Sequence, residues 1–271
     1  MQLSGICYYL DMDLLEAWQD WEKSEPPFVL EADRVALAST RSMLATEQSY
    51  TEWQDVYVGD EFGKPGDRKL HLGLVPHPFC GDLRKAQVYL LMLNPGYGTH
   101  DYFAELEVPD YVAAAEKNLK QSFTEDDYPF FLLNPKFAWT GGYMWWHKKL
   151  ASTIEALADI SEMSYAEARH NLSKQMASVE LIPYHSTSFY DAAKWRKTLP
   201  SVRMAREFVH SYLLPKVISN EAIIIVTRQA IEWDLPEHPN IIRYSAGEAR
   251  SAHLSPTSPG GKAIIAQLQK S

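Results

Sequence analysis

Cysteine is nearly absent: Cys7 and Cys80 are the only two in 271 residues. They cannot build a disulfide framework, and neither sits in a CxxC or a Cys/His cluster of zinc spacing, so a reducing, cytoplasmic setting is expected. Long hydrophobic runs are missing too. No stretch reaches the roughly 18 apolar residues of a membrane span, and the opening MQLSGICYYLDMDLLEAW has no basic leader, so neither export nor membrane insertion is expected. Positive charge is in deficit, with 26 Lys and Arg against 35 Asp and Glu and a net charge of -9. No global field therefore draws the chain to nucleic acid, and any DNA contact needs a local patch. Glycine and proline number only 13 and 16, without repeats or low-complexity tracts, which excludes collagen-like and disordered chains. No Walker lysine loop, HExxH, GxSxG or GxGxxG is found, which removes the commonest nucleotide, zinc-protease and serine-hydrolase chemistries.

What is present is a hydrophobic share of 46% with 12% aromatics, the profile of a packed, enzyme-sized protein. Mixed three- and four-residue apolar spacings predict helices over 9–22 and 31–47, and residues 57–83, punctuated by Gly and Pro, read as loops and short extended pieces. This places a soft boundary near residue 70, between a helical N-terminal extension (1–70) and a main domain (71–271). Continuous apolar segments at 87–93 (QVYLLML), 179–182, 222–227 (AIIIVT) and 240–244 predict four buried strands. Helices are predicted over 143–158, over 201–214 with Val202, Ala205, Phe208, Val209, Tyr212 and Leu213 on one stripe, and over 262–270. Strands alternating with helices predict an α/β fold on a central, mostly parallel four-stranded sheet. His77, His100 and His147 make no metal set with nearby carboxylates in the sequence, and neither a metal nor an organic cofactor is expected.

Ligands of open α/β sheets bind at the carboxyl ends of strands. Two polar segments qualify: Asn94-Pro95-Gly96-Tyr97-Gly98 after the first strand, and His253-Leu254-Ser255-Pro256-Thr257-Ser258-Pro259-Gly260-Gly261 before the last helix. Singly, Asn94 also reads as a strand-end cap and His253 as a loop histidine. Together, in this order and context, LNPGYG resembles the first active-site motif of the uracil-DNA glycosylase superfamily, in its mismatch-specific and single-strand-selective branches, and HLSPTS resembles the second. The resemblance covers residues 75 to 271. It implies a three-layer α/β/α domain, with residues 98–136 as an insertion.

The resemblance also implies roles. Asn94 would hold a water by its amide oxygen, and because Asn is no strong base, catalysis would lean on stabilising the leaving base. His253 would donate to the base carbonyl where negative charge grows. Ser255, Thr257 and Ser258 would meet the DNA backbone, with His185, Lys194 and Arg196 as further contacts; a turn hydroxyl and a solvated helix face are the plain alternatives. Gly96 stands where strict uracil enzymes carry a tyrosine that walls off carbon 5, so a carbon-5 substituent could be accommodated. Glu180 stands where the family places an asparagine that reads the base edge. Ionised, it would accept from the amino group of cytosine and repel uracil; protonated, it could donate to a carbonyl. Thr257 replaces a wedging leucine, and Pro259-Gly260-Gly261 could belong to a flexible wedge loop. Phe137 and Trp139 are first candidates for the stacking platform, with Tyr97 as the alternative.

The expectation is a monofunctional DNA glycosylase, monomeric, with DNA as partner. Its target would be a flipped-out, 5-modified pyrimidine such as hydroxymethylated or glucosylated cytosine, with a role in phage defence. Uracil or mismatch repair is the alternative within that class. A catalytically silent nucleic-acid or nucleotide binder and a hydrolase of free nucleosides are the alternatives outside it. Some superfamily branches hold an iron-sulfur cluster, for which two cysteines are too few.

Overall fold

The computed structural model describes residues 13–19, 21, 25–38, 44–45, 69–187, 189, 193–250 and 252–270. Parts of the helices expected over 9–22 and 31–47, and the expected loops up to residue 68, lie outside the described residues. The chain divides into two compact units: residues 1–78, 94–120 and 180–208 form the first, and 79–93, 121–179 and 209–271 the second.

The second unit holds the central sheet. Its strands are β3 (Phe79–Cys80), β4 (Val88–Met92), β5 (Met176–Glu180, the last residue already in the first unit), β6 (Ile223–Val226) and β7 (Ile241–Arg243), in the order β3-β5-β4-β6-β7. β4 pairs parallel with β6 and β6 with β7, Val88 opposite Ile223 and Ile224 opposite Ile241. Val88 to Leu91 and all of β6 are buried, which is why these strands read as unbroken apolar runs. The α/β architecture and mostly parallel sheet are as expected. The sheet has five strands rather than four, because Phe79–Cys80 adds an antiparallel edge on β5.

β5 begins at Met176, earlier than the apolar run at 179–182 suggests, because buried Ser178 interrupts the pattern within a fully buried strand. The helix expected over 143–158 runs as Gly141–Ile160, capped by Thr140, whose hydroxyl accepts from Tyr143 N. The next, Tyr165–Gln175, starts with a reciprocal Ser164–Glu167 capping box and packs against its predecessor. The final helix, Pro259–Leu268, packs on the Gly141–Ile160 helix, β6 and β7. The stretch expected as one helix over 201–214 is broken: Pro200–Phe208 is α-helical, Val209–Leu213 is a π turn, and Leu214–Ile218 resumes. Pro215 lacks the N–H that an uninterrupted ladder would need there.

The first unit contains a two-stranded parallel sheet, β1 (Leu44–Ala45) on β2 (Leu70–His71). The second expected N-terminal helix is therefore shorter, a 3-10 turn at Glu31–Asp33 and a helix at Arg34–Ala38, since pairing with β2 overrides the helix propensity of Leu and Ala. Among its described residues, in chain order, the unit holds helices α1 (Leu14–Gln19), α2 (Arg34–Ala38), α3 (Thr99–Glu107), α4 (Pro109–Leu119) and α5 (Pro200–Phe208); α1 packs on α4 and α5. Buried Asp33 ties the unit together, accepting from the Tyr184 hydroxyl at 2.6 Å and from Ser201 N at 3.0 Å. Residues 98–136, expected as an insertion, supply α3, α4 and two short 3-10 turns. Among the described residues, no helix is long and apolar enough to cross a membrane.

Candidate functional site

Strand order sets where to look. In chain order, the neighbours β5, β4, β6 and β7 run second, first, third, fourth, so the order reverses between β4 and β6. Ligands of open α/β sheets bind beyond the carboxyl ends at such a reversal. Asn94 stands two residues past the carboxyl end of β4.

In the first unit, three segments are laced together around Asn94. Its side chain donates through Nδ2 to Pro95 O at 3.0 Å and to Ser186 O at 3.4 Å. Two backbone carbonyls as partners fix which end of the amide is nitrogen. Oδ1 therefore keeps its acceptor capacity, on a residue that is only half-buried. Ser186 N donates back to Pro95 O at 3.1 Å. On its other side the 180–186 segment is bonded to residues 71–78: Glu180 N to Pro78 O, His77 N to Pro183 O and His71 N to His185 O.

Gly96 is exposed, its φ lies outside the left-handed region, and a Cβ built on it would meet nothing within 4 Å. Neither backbone strain nor a close approach requires glycine here, so the open space beside it is a property of the site rather than of the fold. Tyr97 stacks on buried His71 with ring centroids 3.7 Å apart, which occupies one of its faces. Gly98 N donates to the Asp101 carboxylate at 2.7 Å, closing the first turn of α3.

Glu180 is 8% exposed, and no hydrogen-bond partner reaches its Oε2 among the described residues. Burial pushes its carboxyl well above the usual carboxylate range. This changes the base-reading argument: an ionised Glu180 selects for an amino group, whereas a neutral carboxyl presents one donor and one acceptor, as an amide does.

The same unit gathers groups that lie far apart in the sequence. His77, Glu105 and His185 are all buried, and one ligand atom from each lies within 4.8 Å of the others. Burial first, and the neighbouring His185 second, hold His77 well below the ordinary histidine value, so its ring is neutral. Glu105 Oε2 accepts from Val75 N at 2.8 Å. His185 is 4% exposed, with Nδ1 2.7 Å from Gly96 O and Nε2 3.1 Å from Val75 O. The expected DNA contact of His185 is thus corrected: its ring is buried, with its nitrogens close to backbone carbonyls, and it is not available to DNA. The expectation that His77 has no metal-ligating company is revised in the same way, although His100 and His147 do not join the group. Among sequence signals, Asp101 and Glu105, four apart in a helix that also carries buried Tyr102 and Ala104, could have marked an acidic pair on an apolar face.

Lys194 and Arg196 also belong to the first unit. Lys194 is exposed with its ammonium 3.9 Å from the Trp195 ring centroid, and half-buried Arg196 accepts at its carbonyl from Arg206.

His253 belongs to the second unit, exposed on the loop entering the final helix, with its backbone carbonyl accepting from the Tyr244 hydroxyl. The buried Thr153 hydroxyl donates to Leu254 O. Ser258 is the helix N-cap, accepting from Gly261 N at 3.1 Å and donating to Ser255 O at 2.8 Å. Its expected phosphate role is corrected accordingly, since both capacities serve the cap. Pro259-Gly260-Gly261, expected as a flexible loop, forms the first turn of the helix: a Cβ on Gly260 would press on Tyr244 and Leu254, and one on Gly261 would run into the Ser255 carbonyl. Ser255 and Thr257 retain hydroxyls 3.3 Å apart at the surface. Phe137 is 2% exposed and packs edge-on against Phe131, so it is a core residue and not a stacking platform; Trp139 is half-buried.

No protein-family model, curated protein or solved structure matches the chain.

Proposed function

We propose that the protein is a monofunctional DNA glycosylase that hydrolyses the N-glycosidic bond of a flipped-out, 5-substituted pyrimidine and leaves an abasic site. The observation that carries this reading is the Asn94 amide. Its nitrogen is committed to two backbone carbonyls, and its oxygen remains an acceptor past the carboxyl end of β4. Such an oxygen can hold a water by one hydrogen while a lone pair of that water attacks carbon 1′ of the sugar. The glycosidic electron pair leaves with the base, and the proton shed by the attacking water passes to solvent and from there to the anionic base. Asn94 takes no proton, so departure depends on stabilising the anionic base. A flipped base is reached by paying only for its unstacking, which is least where pairing is already weak.

The absent side chain at Gly96 supports a carbon-5 substituent, with hydroxymethylated or glucosylated cytosine as the leading substrate and phage DNA as its source. A neutral Glu180 would donate to the ring nitrogen of cytosine and accept from its amino group. Rotated, the same carboxyl serves uracil, which keeps uracil or mismatch repair as the second reading. The protein would act on DNA as a cytoplasmic monomer.

The test is an alkali-cleavage assay on matched oligonucleotides containing 5-hydroxymethylcytosine, its glucosylated form, uracil or a thymine mismatch, with Asn94→Ala as control. Strand scission that depends on Asn94 supports the glycosylase. Folded protein that leaves every substrate intact refutes it and favours a silent binder.

A further inference from the structure

We propose that His77, Glu105 and His185 bind a divalent first-row transition-metal ion, zinc in the first instance, through one ring nitrogen of each histidine and one carboxylate oxygen. Two imidazoles and a carboxylate form a donor set that zinc and its neighbours accept, and here all three side chains are buried and converge within 4.8 Å. Bonds of about 2.0–2.2 Å in tetrahedral geometry bring ligand atoms to roughly 3.4 Å apart.

His185 supplies the second, independent observation. Its nitrogens face two carbonyl oxygens, Gly96 O at 2.7 Å and Val75 O at 3.1 Å. A neutral imidazole has one N–H to give. With that N–H at Nδ1 on Gly96 O, the nearer of the two, the lone pair of Nε2 is left for a metal ion. Histidine ligands characteristically donate their other N–H to a carbonyl or carboxylate, and ligating carboxylates are themselves hydrogen-bonded. Nδ1–H on Gly96 O and Glu105 Oε2 on Val75 N meet both conditions.

The three donors come from three segments of the first unit: residues 71–78, helix α3 and the 180–187 segment. One ion would cross-link them. Through His185 to Gly96, and through Ser186 to Asn94 and Pro95, it would fix the loop that carries Asn94. Asn94 is not a ligand, and metal uptake is scored without DNA, so the proposal stands or falls apart from the glycosylase reading.

The experiment uses the full chain, stripped with EDTA and desalted, then titrated with Zn²⁺ in a calorimeter and with Co²⁺ in a spectrophotometer. One equivalent of Zn²⁺, a visible d–d spectrum with Co²⁺, and at least a tenfold loss of Zn²⁺ affinity in Glu105→Gln and His77→Gln are expected. Should those variants fail to fold, X-ray absorption at the zinc edge of the wild-type protein decides, with two imidazoles and an oxygen donor expected around the ion. Absence of stoichiometric uptake, uptake unchanged in both folded variants, or an edge spectrum without imidazole overturns the proposal.

Discussion

The space beside Gly96 can be filled in two steps whose consequences separate fold from function. A Cβ there meets nothing within 4 Å and the backbone is outside the left-handed region, so Gly96→Ala has no steric cost. Restricting the unfolded chain should then stabilise it by about 0.4–1 kcal/mol. Gly96→Tyr adds a ring on an exposed position, and its effect on stability should stay within about 0.5 kcal/mol. Its effect on substrate choice should be larger. A ring occupying the carbon-5 side forces overpacking worth roughly 1–3 kcal/mol against a substituted base, a loss of about 5- to 200-fold in kcat/KM. Plain uracil, with hydrogen at carbon 5, should be affected little. The assay is single-turnover alkali cleavage of paired oligonucleotides carrying 5-hydroxymethylcytosine or uracil, with urea denaturation run on the same preparations. The ratio of the two rates is the readout. A Gly96→Tyr protein that is folded and keeps its wild-type ratio would refute the placement of the carbon-5 substituent beside Gly96.

Further outcomes follow from the same contacts. Gly261→Ala drives a methyl into the Ser255 carbonyl and should cost at least about 3 kcal/mol in urea unfolding; a loss below about 1 kcal/mol would mean that the loop after His253 is not seated on the helix as described. Burial raises the Glu180 carboxyl, so the native state binds more protons than the unfolded chain between the ordinary glutamate value of 4.5 and the raised folded value. Its contribution to stability is therefore full at low pH and declines as pH rises through that window. Glu180→Gln should flatten the decline when unfolding is followed from about pH 4 to pH 8, and an identical slope in both proteins would show that the carboxyl is not held neutral.

The parts legible in the sequence were those set by local pattern. Strands β4 and β6 are continuous apolar runs because both faces are buried, and the Asn-Pro-Gly loop is marked by the proline and glycine that end β4. The edge strand Phe79–Cys80 was not legible, since two residues after Pro78 carry no periodicity and the pairing partner lies far along the chain. The π turn at Val209–Leu213 was hidden inside a good helical stripe, where only Pro215 hints at the break. Within the candidate site, the space beside Gly96 agrees with the open side expected there, but His185, expected to contact DNA, and Phe137, expected as a stacking platform, are buried. Burial is decided by tertiary packing that residue type does not announce. The meeting of Glu105 with His77 and His185 is of the same kind, because the three residues lie on separate segments whose approach no local pattern marks.

The most direct test of the central claim is to identify what is released. DNA rich in 5-hydroxymethylcytosine is incubated with wild-type protein and with Asn94→Ala, and the low-molecular-mass fraction is analysed by mass spectrometry. The account predicts free modified base from the wild type, in one-to-one ratio with alkali-labile sites, and loss of that release in Asn94→Ala while affinity for DNA is retained. Release of nucleosides or nucleotides, or of base at equal rates from both proteins, would contradict hydrolysis of the glycosidic bond by a water held at Asn94.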